Sequence, residues 1–255
     1  MFIHGYLNFE YSLPTRISQT ILIFFTKFTN SVKKYYLAIP TAAAIIAIVF
    51  FLYPYESEPN QSGSKVLTEN GVDHLTPQEL IQNGSPLLGD SNAKITIVEW
   101  GDYQCTYCHA FHKNTKDQLI QEYVNTGKVN FVFRDFPLNG PDSILAAEAS
   151  YCGNDQDKYW QYHNELYNNW GGERTGWISQ KSLDKFATDV GLDMVQFDKC
   201  MNTGKYEQKV LDNQRFGKDI GIDATPSFII FSDKKITKIV GAQPFLIFKQ
   251  VIDTI

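Results

Sequence analysis

Cysteine is scarce in this sequence. Four in 255 residues are too few to staple a chain of this length, which excludes a disulfide-scaffold protein. An excess of basic charge is also missing. The net charge is −5 and no stripe of Lys and Arg occurs, so the footprint expected of a nucleic-acid partner is absent. There is no internal repeat and no low-complexity tract. What remains is a chain long enough for one substantial domain with extensions, ordinary in apolar content and well supplied with aromatics.

Another absence is local. From Tyr35 to Leu52 no charged residue occurs. With Tyr53 to Tyr55 behind it, the run reaches the ~20 residues that a spanning helix needs. Lys33 and Lys34 precede it, Glu56 and Glu58 follow, and Tyr35, Tyr36, Tyr53 and Tyr55 mark its ends. That arrangement predicts a transmembrane helix over 35–55, with 1–34 cytoplasmic and the remainder exported. Pro40 falls near the first turn, where a missing N–H costs least. A cleaved signal peptide is the alternative, opposed by the length of the run, the long preceding segment and a poor small-x-small cleavage site. A buried core helix is opposed by the lack of any polar face. Residues 56–75, rich in Ser, Asn, Gly and acids, read as a linker.

The rest alternates sheet and helix. Thr76-Pro77-Gln78-Glu79 fits a capping box with proline in the first turn. Lys94–Trp100 reads as a central strand, Cys105–Val124 as a helix ended by Gly127, and Lys128–Phe136 as a second strand with Val129, Phe131 and Phe133 on one face. Helical patterns follow over Ser143–Tyr151, Asp157–Asn169, Lys181–Val190, Met194–Met201 and Lys205–Ile220, with turns at Gly153, Gly171-Gly172, Gly191 and Gly204. Ser227–Phe231 and Lys235–Val240 form a hairpin, and a helix over Pro244–Ile252 closes the chain. The expected class is α/β, with a helical block inserted in the middle.

Two cysteines form a C-x-x-C, Cys105-Thr106-Tyr107-Cys108. Two intervening residues in a first helical turn let the sulfurs meet. The helix N-terminus then stabilises a thiolate on the first one. Cys105 is therefore expected to be the exposed nucleophile and Cys108 the buried resolving thiol. Three other readings remain. Cys105-x-x-Cys108-His109 is also the pattern of c-type haem attachment, with Met194 or Met201 as axial partner. The strand directly ahead of the motif argues against it. Zinc held by Cys105, Cys108, His109 and His112 would lack the separated second pair of structural sites. A purely structural disulfide would not account for the strand-to-helix placement.

Two further features bear on chemistry. Ala224-Thr225-Pro226-Ser227 stands just before a strand, where the proline is either cis or a plain turn residue. Glu99 lies in an apolar strand shortly before Cys105. Buried, it would have a raised pKa and relay protons to the resolving thiol; on an exposed face it would do neither.

In this order, Gly89-Asp90, Glu99 to Cys108 (EWGDYQCTYC), Arg134 to Leu138 (RDFPL) and Ala224 to Ser227 (ATPS) make residues 85–255 resemble the DsbA-like group of the thioredoxin superfamily. The resemblance implies a thioredoxin domain over 76–255, with helices of about 141–216 as the cap that shapes a substrate groove. It implies that Cys105 exchanges disulfides, Cys108 resolves and Pro226 is cis against the pair. It also implies that the Thr225 backbone pairs with substrate and that Glu99 is the buried acid. His109 departs from the pattern. So does Thr106-Tyr107, where the best-known oxidase has Pro-His, and strong oxidant character does not follow. The dimerisation domain of the isomerase branch is missing, which predicts a monomer.

Cys152 and Cys200 both fall in the inserted helices. In an exported domain two lone thiols would be at risk, so a structural disulfide is expected, with two buried free cysteines as the alternative. Closing that loop stabilises by roughly 4 kcal/mol in the chain-entropy model. The expected activity is insertion of disulfides into reduced exported proteins, needing no cofactor or metal, with a membrane quinone-linked thiol oxidase as regenerating partner. A reductase or isomerase, a c-type haem protein and a non-catalytic binding module are the other readings.

Overall fold

The computed structural model of the protein describes residues 75–255. The expected cytoplasmic segment (1–34), membrane helix (35–55) and linker (56–75, its last residue excepted) lie outside the described residues. Among the described residues no helix is long and apolar enough to cross a membrane.

A four-stranded sheet, in the order β2-β1-β3-β4, forms the centre. β1 (Ile95–Gly101) and β2 (Val129–Asp135) are parallel, with Glu99 opposite Phe133. β3 (Ser227–Phe231) runs antiparallel to β1, which sets Phe228 beside Glu99 and Ser227 beside Trp100. β4 (Ile236–Val240) completes an antiparallel hairpin with β3. Parallel strands cannot be joined by a tight turn. The crossover from β1 to β2 is a helical rod, α2 (106–124). It is α-helical at Thr106–Phe111, π-helical at His112–Lys116, α-helical at Asp117–Leu119 and π-helical again at Ile120–Val124. Its first turn therefore stands at the carboxyl end of β1, where open α/β sheets place their chemistry.

A short helix, α1 (Pro77–Ile81), begins at the Thr76 capping box, with Glu79 Oε2 accepting the Thr76 N–H at 2.8 Å. Helices cover both faces of the sheet, so the strands are apolar nearly throughout rather than alternating. Every residue of β2 is buried, not only the Val129, Phe131, Phe133 face. Ile97, Phe111, Phe131, Phe228 and Phe248 form one core cluster with the final helix. Leu80, Val98, Trp100, Val132 and Ile229 form another. Arg134 is buried in that second region, donating to the Glu79 and Leu80 carbonyls and twice to Asn213 Oδ1, so it clamps α1 and the later helix that carries Asn213 to the sheet.

The insertion comprises α3 (Pro141–Asn154), α4 (Tyr159–Asn168), α5 (Gln180–Asp189), α6 (Met194–Asn202) and α7 (Glu207–Asp219). The last element is α8 (Phe245–Ile252). Gly153, expected as a turn, is helical. A Cβ there would lie 3.2 Å from the Tyr162 Cβ, so its missing side chain serves close packing of α3 on α4. The chain reverses instead around Asp157, at φ 58°. Cys152 and Cys200 are bonded at S–S 2.04 Å and join α3 to α6.

Candidate active site

β1 ends in a turn whose geometry is held by one carboxylate. Asp102, buried, accepts the Gln104 N–H at 2.8 Å and the Ser143 hydroxyl at 2.7 Å on one oxygen. Its other oxygen accepts the N–H groups of Leu138 (2.7 Å) and Asn139 (2.8 Å) and the Asn139 amide (3.1 Å). The turn after β1 is thereby tied to the loop after β2 and to α3. Gly101 allows the approach, because a Cβ there would sit 2.4 Å from the Phe133 ring. The Asp102 carbonyl accepts the Cys105 N–H at 3.0 Å, which delivers Cys105 to the N-cap of α2.

Cys105 and Cys108 are free thiols. Cys105 was expected to be exposed, but it retains only 6% of its surface. The Thr225 carbonyl covers it, accepting from its Sγ at 3.4 Å, and the Thr225–Pro226 peptide is cis. Cys108 is fully enclosed, and its Sγ accepts the Asp102 N–H at 3.5 Å. The two thiols are driven apart in acidity. A hydrogen bond from the Cys108 thiol, aided by the Thr225 side chain and the N–H groups of Cys108 and Tyr107, outweighs burial and lowers Cys105 to about 6. Burial, the shared hydrogen bond and the charges of Cys105 and Glu99 push Cys108 well up. A low-pKa thiolate in front of a high-pKa thiol is the arrangement disulfide exchange requires.

Glu99 is buried, which excludes the exposed-face reading. Desolvation raises its pKa, opposed by the charge of Lys116 and reinforced by that of Cys105. Lys116 is itself buried and lowered by the same desolvation; it donates to Asn164 Oδ1 at 2.9 Å. Both side chains are enclosed, and the charge of Glu99 is felt at Cys108. Lys116 escaped the sequence reading, although a signal existed. Spaced at helical intervals from Cys108 and His112, it falls on the buried stripe of α2.

The two histidines of the motif lie in different aromatic stacks, His109 on Trp170 at 4.5 Å and His112 on Tyr167 at 4.8 Å between ring centroids. Burial lowers His112 to about 3. Among the described residues no group of three or more His, Cys, Asp or Glu is placed to hold a metal ion. His163, in α4, is fully buried, and its Nδ1 lies 2.9 Å from the Tyr103 hydroxyl, which in turn accepts from Ser150 at 2.9 Å. This second link between the insertion and the turn before Cys105 has no sequence signature.

Gly89-Asp90 is structural in its contacts. Leu88 exchanges two backbone hydrogen bonds with Phe131, and a Cβ on Gly89 would meet the Val129 carbonyl at 2.9 Å. Of the residues singled out from the sequence, Glu99, Cys105, Cys108, Thr225 and Pro226 come together at one site. Cys152 and Cys200 do not join it.

The sequence model of the family described as Thioredoxin matches residues 82–246. "Probable disulfide bond formation protein D" of Bacillus anthracis is 29% identical over 147 residues, 56% of this chain and 68% of that protein. "Disulfide bond formation protein D" of Bacillus subtilis is 27% identical over 172 residues, 66% of this chain and 77% of that one. The crystal structure of Wolbachia pipientis alpha-DsbA1 is similar with a TM-score of 0.62 at 28% identity, covering 72% of this chain and 94% of that chain.

Proposed function

Because this chain belongs to the thioredoxin family and is a thiol–disulfide oxidoreductase, we propose that it donates disulfide bonds to reduced exported proteins through Cys105 and Cys108. The observation that carries the reading is the placement of the two sulfurs. Cys105 caps a helix beside the Thr225 carbonyl, while Cys108 lies behind it with no surface at all.

In the oxidised enzyme an incoming substrate thiolate attacks the Cys105 sulfur, the only one it can reach. The Cys105–Cys108 bond breaks, a substrate–Cys105 disulfide forms, and Cys108 leaves with the electron pair. Its high proton affinity favours immediate protonation, for which the buried Glu99 is the nearby proton source. A second substrate thiolate then attacks the substrate sulfur of the mixed disulfide. Cys105 leaves as a thiolate, stabilised where it sits by the N–H groups of Tyr107 and Cys108. The substrate has lost two electrons and the enzyme has gained them as a dithiol. The Thr225 backbone pairs with the substrate segment.

The uncharged run 35–55 and the Lys residues before it support a single-pass anchor with the N-terminus in the cytoplasm and the thiols outside. Disulfides persist in that compartment, which fits the Cys152–Cys200 bond. A membrane quinone-linked thiol oxidase would return the dithiol to its disulfide.

The deciding experiment equilibrates the full chain with glutathione buffers and measures the reduction potential of Cys105–Cys108. A value near about −120 mV, that of the strong oxidant of this superfamily, supports disulfide donation. A value near about −270 mV, that of thioredoxin, makes the protein a reductant and ends the reading.

A further inference from the structure

The loop between α4 and α5 grips the turn that carries Cys105. Trp170 Nε1 donates to the Gln104 carbonyl at 2.9 Å, while its ring lies within 7° of parallel to that of His109. The Arg174 N–H donates to Gln104 Oε1 at 3.0 Å, and its guanidinium is turned to the Leu138 carbonyl at 3.3 Å. Between these contacts Glu173 Oε1 accepts the N–H of Thr106 at 2.8 Å. Thr106 is the first residue of α2 and directly follows Cys105. Left-handed backbone at Gly172 (φ 104°) and Arg174 (φ 54°) flanks the glutamate on both sides.

The first N–H groups of a helix favour negative charge. At this helix end two negative groups share that preference. The N–H groups of Tyr107 and Cys108 reach the Cys105 sulfur, and the N–H of Thr106 is held by a carboxylate. A carboxylate in the same turn as a thiolate anchors the helix end and also repels the thiolate. Other ionisable or charged groups are linked to this helix end. Glu99 from β1 feels the charge of Cys105, and the charge of Lys116 from α2 opposes that effect. Cys108 is bonded to the Cys105 sulfur, Asp102 and His109 to the Cys105 backbone, and Arg174 to Gln104. The oxygens of Asp102 are already engaged by the turn and by Leu138, Asn139 and Ser143. Glu173 is exposed, so its charge can be removed with little cost to packing.

We propose that Glu173 is a positioning residue that sets the redox poise of the protein. From the insertion it fixes the first turn of α2, and by its charge it makes the Cys105 thiolate, and hence the dithiol state, less favourable than the helix end alone would. The inference rests on Cys105 being the exchanging sulfur of the proposed function. The relevant balance is enzyme disulfide plus two glutathione thiols going to enzyme dithiol plus glutathione disulfide, a two-electron exchange with no other reactant.

The test uses the full chain and its Glu173→Gln and Glu173→Ala variants. Thiolate absorbance against pH gives the dissociation constant of Cys105, and glutathione buffers give the disulfide–dithiol equilibrium. Gln keeps the acceptor for Thr106 and removes only the charge. Its Cys105 dissociation constant should rise about two- to fivefold, with the equilibrium moving by a similar factor toward dithiol. Both changes should shrink in high salt. Values for Glu173→Gln equal to those of the parent overturn the proposal. So does a change in Glu173→Ala alone, which would reduce Glu173 to a structural cap. Each variant is read against the parent. A parent equilibrium like thioredoxin's therefore ends the disulfide-donation reading and leaves the parent-to-Gln difference to decide this one.

Discussion

The two cysteine pairs of this domain belong to one core cluster and are used differently. Cys105 and Cys108 are three positions apart and stand as thiols at the start of a helix. Cys152 and Cys200, separated by 48 positions, are bonded within α3 and α6. The residue type is the same, and burial alone does not distinguish them, since all four are nearly enclosed. What differs is the supply of uncommitted hydrogen-bond donors. A helix start has N–H groups free for a sulfur, whereas a helix interior has spent them on carbonyls. A buried thiolate is affordable only in the first setting. The second leaves the sulfur nothing better than another sulfur, and makes that pair a staple.

The comparison can be broken most forcefully at Cys105. Replacing it with Ser should reduce turnover of a reduced, unfolded substrate protein to background. Cys108→Ser should instead accumulate mixed disulfides on non-reducing gels, because the resolving thiol is gone. Full activity in the first variant would remove the exchange role from this pair.

The second largest effect belongs to the other pair. The double variant Cys152→Ala, Cys200→Ala should lose roughly 4 kcal/mol of stability in denaturant titration. The alkylation midpoint of Cys105 should stay where it is. A moved midpoint would mean that the staple shapes the redox site and that the two pairs are not independent.

A third test follows the pH. Alkylation of Cys105 should climb tenfold per pH unit in acid and level off above a midpoint near 6. The same depressed pKa bears on stability of the reduced protein. Its contribution is complete above the unfolded thiol value of about 8.5 and disappears as pH falls through about 6. The oxidised protein has no such thiolate, so lowering the pH from 8.5 to 5 should lower the stability of the reduced form relative to the oxidised one. An unchanged difference would count against a thiolate at the helix end.

Glu99→Gln comes next. It preserves shape but removes the buried acid, so exchange steps that protonate or deprotonate Cys108 should slow about a hundredfold, the lower range for a proton-transfer group. Alkylation of Cys105 should change far less. The smallest expected effect is the shift of Glu173→Gln described above.

Much of the fold was legible because its signals are local. β-branched and aromatic runs marked all four strands to within a residue at each end, and the Thr76 capping box marked the start of α1. C-x-x-C after a strand placed the thiols, since two residues between cysteines at a helix start leave little other geometry open. Gly153 was misread because its reason for being glycine is a neighbour nine residues on, the Tyr162 side chain. Cys105 was expected to be exposed because exposure depends on what lies above a residue, here the Thr225 carbonyl contributed from 120 positions away.

By itself, then, the amino-acid sequence determined which sulfurs could become a redox pair, the order of strands and helices around them, and the uncharged run near the N-terminus. Each of these follows from side-chain pattern over a few neighbouring residues. Tertiary structure alone decided the burial of Glu99 beside Lys116, the closing of the site by Thr225, the five hydrogen bonds on the Asp102 carboxylate and the Glu173 contact at Thr106. These rest on dielectric and on hydrogen bonds between distant segments. Such quantities are set by which surfaces meet, and no short stretch of chain encodes that meeting.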